Sequence, residues 1–130
     1  MDVKWLDRSL FVSSHFFTLC TNEKLFKKAL KHLHIPKSQR PEFVNNWHSN
    51  GTAHYFENRH DKTMTCVVCI CGFEGKSTAS IVGLLAHEAT HIWQQIREAY
   101  GEKCPSAEFE AYAIQNLTQE LFAEFERQTK

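Results

Sequence analysis

The sequence has no excess of charge of either sign. Its 130 residues hold fifteen Lys/Arg and fifteen Asp/Glu, which argues against a broadly basic surface made to coat nucleic acid. Nucleic acid is therefore not an expected partner. There is also no long apolar run. The longest strongly apolar stretch, Leu10 to Cys20, is interrupted by Ser13, Ser14, His15 and Thr18. A bilayer-spanning helix needs about 20 apolar residues, so no membrane association is expected. Asp2 and Asp7 offset Lys4 and Arg8, and neither a signal peptide nor an anchor is read there. Glycine and proline are scarce, at five and three, so no flexible linker divides the chain. One domain over residues 1–130 is expected. The cysteines number five. An odd count fits free thiols in a reducing compartment better than a secreted disulfide framework, and a cytoplasmic location follows as the expectation.

What is present is an ordinary globular mixture, 42% apolar and 23% charged, which excludes a disordered chain. Charge divides unevenly. Residues 1–65 hold ten Lys/Arg against six Asp/Glu, and residues 66–130 hold five against nine. Thr21 or Asn22 can cap a helix carrying Leu25, Phe26, Ala29, Leu30 and Leu33, ended by Pro36. Leu10 to Leu19 reads as a strand or a buried irregular segment, and Ser38 to Trp47 as a short helix. Asn50-Gly51 is a turn signal. Two strands follow, Thr52–Asn58 and Thr63–Cys71, antiparallel across a polar loop. Period-two alternation puts Val67, Cys69 and Cys71 on one face and Cys66, Val68 and Ile70 on the other. Cys66 and Cys69 then point apart, so their CxxC spacing reads as core and not as a metal clip. Ser77 or Thr78 caps a long helix ended by Gly101, and Pro105-Ser106 opens another. The expected fold class is α+β: a helical part over 1–50, then a small antiparallel sheet of two or three strands packed on two long helices over 51–130.

The first long helix contains His87-Glu88-Ala89-Thr90-His91, the pattern HExxH. Histidines four apart project from one side of a helix and can share one metal ion. The glutamate between them can take a proton from a metal-bound water. A shuffled chain with eight His and twelve Glu would show the pattern with an expected count of roughly 0.04, so context must carry the argument. At 100° steps Glu88 falls inside the apolar stripe of Ile81, Leu84, Leu85, Ile92 and Ile96, with His87 and His91 flanking it. A carboxylate on a buried face is costly without a partner.

The next helix opens Ser106-Ala107-Glu108-Phe109-Glu110-Ala111-Tyr112. HExxH on one helix and a glutamate in an E-x-x-A pattern on the next resemble the gluzincin class of zinc metallopeptidases. The compactness is similar to minigluzincins and to small HExxH proteins of phages and prophages. Residues His87 to Gln94 and Glu108 to Gln115 carry the likeness, which covers about residues 50–130. The resemblance implies a zincin-like fold and one Zn²⁺ per chain, held by His87, His91 and Glu108. Glu88 would be general base, and Glu110 a partner orienting a zinc histidine or an alternative ligand. Many gluzincins carry Asp or Asn where Tyr112 stands; a phenol there would orient a histidine or stabilise an oxyanion. It also implies an edge strand that holds an extended peptide, with His54 and Tyr55 as candidate substrate contacts. The expected activity is hydrolysis of a peptide or protein substrate by Glu-activated, zinc-bound water, in the host cytoplasm if the chain is phage-encoded. The alternative is a zincin scaffold that binds or senses zinc without turnover. His54, His60 and Cys104 are the suspects for a fourth ligand that would close such a site.

Overall fold

In a computed structural model of the chain, residues 1–7, 15–44, 50–57 and 63–130 are described. The elements run β1 (His15–Cys20), α1 (Glu23–His32), a 3₁₀ turn (Lys37–Gln39), β2 (Gly51–Glu57), β3 (Met64–Ile70), α2 (Thr78–Ala99) and α3 (Ala107–Thr129). The fold is α+β, as the residue pattern suggested. Each helix begins at a side-chain cap that satisfies an otherwise unpaired backbone N–H. Asn22 Oδ1 accepts from Leu25 N at 2.9 Å, Ser77 Oγ from Ser80 N at 3.1 Å and Ser106 Oγ from Phe109 N at 3.1 Å. At the end of α2, Gly101 takes φ +69° while its N–H and that of Glu102 return to the carbonyls of Glu98 and Arg97. That left-handed conformation favours glycine.

The sheet is mixed, in order β1-β3-β2, which corrects the expectation of an antiparallel sheet. β2 and β3 do pair antiparallel, but β1 runs parallel to β3, with His15 opposite Met64 and Cys20 opposite Cys69. A parallel pair needs a long crossover. Here α1 and the segment after it lie between β1 and the hairpin, long enough to supply one. The expected helix over Ser38–Trp47 reduces to the 3₁₀ turn, because Pro41 disfavours helical backbone at Arg40. Its end lies outside the described residues, as does Asn58.

β3 is central and covered on both faces, which explains its nearly unbroken apolar run. Cys66, Val68 and Ile70 join Phe17 and Leu19 against α2 and α3. Val67 and Cys69 join Cys20 against Phe26, Ala29 and Leu30 of α1. The alternation read from the sequence is therefore the division between two cores. Burial pushes the Cys66 and Cys69 thiols far up from their ordinary values, so both remain neutral core groups.

The C-terminal turn of α3 is clasped to the start of the fold. Glu124, 2% exposed, accepts from Arg127 Nε at 2.6 Å and from Gln128 Nε2 at 2.7 Å. Gln128 Nε2 also donates to Leu19 O at 2.7 Å, and its Oε1 accepts from Thr21 Oγ1 at 2.8 Å. Removing the carboxylate leaves the buried Gln128 amide with one acceptor fewer, at a cost of about 1–3 kcal/mol. Glu124→Ala is expected to lower the urea midpoint accordingly, with an unchanged slope. A midpoint equal to the wild type's would show that the clasp does not hold α3.

Candidate metal and catalytic site

α2 meets the sheet through Ile81, Leu85, Ile92 and Ile96, all buried. Glu88 lies in the same stripe at 5% exposure. Its Oε1 would stand 3.0 Å from a Cβ built on Gly51, the first residue of β2. The carboxylate thus fills a space that any side chain at 51 would contest. Burial pushes the Glu88 carboxyl up from its ordinary value, while the charge of His87 and His91 works against that rise. Gly51, read in the sequence as part of a turn, proves to be a close-approach position. Its only local signal was the lack of a side chain at the start of a strand.

His87 and His91 are exposed on one flank of α2. Their rings meet edge to face, 4.6 Å apart at 82°, and their Nε2 atoms lie 3.1 Å apart. Two nitrogens each bonded to a tetrahedral zinc would be about 3.3 Å apart. His91 Nδ1 is 3.2 Å from the Gln94 side-chain oxygen. An Nδ1–H donating there leaves the Nε2 lone pair pointing at His87, the tautomer a metal ligand needs. Gln94 went unnoticed as a functional residue because its signal is merely a polar side chain three residues on.

The carboxylates of α3 are not brought to this pair. Trp93 Nε1 donates to Glu110 Oε2 at 2.7 Å, Arg97 Nη1 lies 3.6 Å from the same oxygen, and the Trp93 and Phe109 rings are 5.7 Å apart. These contacts put α3 on the Trp93 flank of α2. Residues two apart differ by about 200° around a helix, so the His91 flank is the opposite one. Glu108 is exposed, and so is Tyr112, at 58%. Among the described residues no three His, Cys, Asp or Glu side chains form a group able to hold a metal. Cys104 is exposed, and His60 lies outside the described residues.

The proposed substrate contacts separate by pleat. His54 pairs with Val67 and Tyr55 with Cys66, so the two side chains leave opposite faces of the sheet. His54 is 6% exposed, stacks on Phe26 with centroids 5.0 Å apart and donates from Nε2 to Phe43 O at 2.9 Å. It is a packing residue on the α1 side. Tyr55 faces α2, and its buried Oη lies beside Cys66 and Glu88. Burial, with the neighbouring Cys66 and Glu88, pushes its phenol far up. β3 is paired on both sides, while β2, which carries both residues, is at the sheet edge.

Comparison with protein-family models, curated proteins and solved structures found no match for this chain. If the Glu110 carboxylate serves Trp93 and Arg97, Glu110→Ala removes the charged acceptor of the indole N–H and costs about 1–3 kcal/mol. That loss should appear as a lower thermal midpoint in metal-free protein. A metal-free midpoint unchanged by the substitution would mean that Glu110 is available for another task.

Proposed function

We propose that this chain is a zinc-dependent hydrolase acting on peptide bonds. The observation that carries the reading is the convergence of His87 Nε2 and His91 Nε2 at 3.1 Å beside the buried carboxylate of Glu88. An imidazole pair at that separation fits two positions of a tetrahedral zinc site, so His87 and His91 would hold the metal. Zinc, when bound, supplies a Lewis acid that acidifies a water and polarises a carbonyl.

The protein's own contribution is the placement of Glu88. A carboxyl raised by burial is a stronger proton acceptor than an ordinary one. It would take a proton from the attacking water and return it to the departing amine. Gly51 keeps space for the carboxylate. The edge position of β2 supports an extended peptide adding to the sheet beside it. Gln94 would fix the orientation of His91.

A second reading, zinc binding without turnover, draws support from the commitment of Glu110 to Trp93 and Arg97. It is also favoured by the lack of a third ligand grouped with the histidines among the described residues. One set of variants separates the readings. The wild type is expected to carry about one zinc per chain, and His87→Ala or His91→Ala to lose it. Glu108→Ala and Glu110→Ala are expected to keep it. Glu88→Gln should also keep zinc while peptide cleavage falls by about 10²–10⁴-fold. Zinc retained with no cleavage across a broad peptide library would favour the second reading. Wild-type protein that takes up no zinc would overturn both.

A further inference from the structure

A cavity of about 930 Å³ lies on the α1 side of the sheet, between α1 and residues 37–44. Its volume is that of a small-molecule site. The apolar wall consists of Phe26 and Leu30 from α1 and Phe43 and Val44 opposite. Phe26 and Phe43 meet edge to face, with centroids 5.8 Å apart at 60°. Lys27, Lys37 and Arg40 bring three positive charges to the lining, against Glu23 and Glu42. Among the described residues the ion pairs formed are Arg97–Glu110 and Arg127–Glu124, so none of the three cations is neutralised at contact distance.

Both walls are braced. His54 Nε2 holds the Phe43 carbonyl at 2.9 Å while its ring stacks on Phe26. Arg40 Nε donates to Ile35 O at 2.9 Å, which fixes the guanidinium and leaves its terminal nitrogens to face a ligand. A braced pocket loses little freedom on binding. An aromatic body suits two phenyl rings set edge to face, and an excess of one positive charge suits a single anion. A guanidinium and two ammonium groups suit a carboxylate.

We propose that this cavity binds a small monocarboxylate with an aromatic body, at a site separate from the histidine pair. The cavity adjoins α1, which packs on the Val67 and Cys69 face of the sheet, whereas α2 packs on the Cys66 and Val68 face. The ligand is thus separated from Glu88 by the sheet, and its binding does not depend on zinc.

Calorimetry with naphthalene-2-carboxylate, and with naphthalene-2-carboxamide as its uncharged counterpart, tests this. The carboxylate is expected to bind at one site per chain, about tenfold or more tighter than the amide. Lys37→Gln with Arg40→Gln should remove most of that difference. These side chains are exposed or half-buried, so the fold is expected to persist, as circular dichroism can verify. Phe43→Ala should weaken both ligands, and His91→Ala neither. Equal affinity for acid and amide, a preference unaffected by the double substitution, loss of binding in His91→Ala, or no saturable binding would each overturn the proposal.

Discussion

An amphipathic helix laid on a sheet has one rotation available to it, and α2 is held in that rotation by Leu85, Ala89, Ile92 and Ile96, all fully buried. Everything at the candidate site follows from this constraint. With the stripe down, Glu88 is carried beneath the helix against Gly51, and His87 and His91 emerge on one flank. Trp93 emerges on the other, where α3 packs. Rotating α2 to bring the histidines toward α3 would expose part of the stripe, at roughly 25 cal/mol for each Å² of apolar surface uncovered. The hydrophobic seam therefore decides which polar groups can meet, and it keeps the carboxylates of α3 away from the imidazoles.

The buried carboxylate gives this arrangement chemical interest. Desolvation raises the cost of its negative charge, and the adjoining histidines offset part of that cost. A carboxyl in such a position is poised to accept a proton. Tyr55 contributes a second buried polar group on the same face, with its phenol beside Cys66 and Glu88.

Much of this was legible in the residues. The caps Asn22, Ser77 and Ser106, the stop at Gly101, the antiparallel hairpin and the alternation along 66–70 are local signals, and local structure follows them. The burial of Glu88 followed from helical period alone. What the residues do not record is non-local. Nothing in Phe16 or Leu19 states that β1 runs parallel to β3, because strand direction depends on the path of the intervening chain. Likewise, the E-x-x-A spacing on α3 carries no record of which flank of α2 that helix packs against. Trp93 decides the matter through its indole N–H, a single polar atom on a large apolar side chain. His54 and Tyr55 were read together as neighbours, yet the pleat sends them to opposite cores.

The most direct test of this geometry is a crystal structure of the zinc-loaded protein with diffraction collected at the zinc absorption edge. The expected result is one anomalous peak about 2.0–2.1 Å from Nε2 of both His87 and His91, with the Trp93–Glu110 hydrogen bond intact and neither Glu108 nor Glu110 among the ligands. A peak coordinated by Glu108 or Glu110 together with the two histidines would contradict the placement of α3, and with it the account of the site.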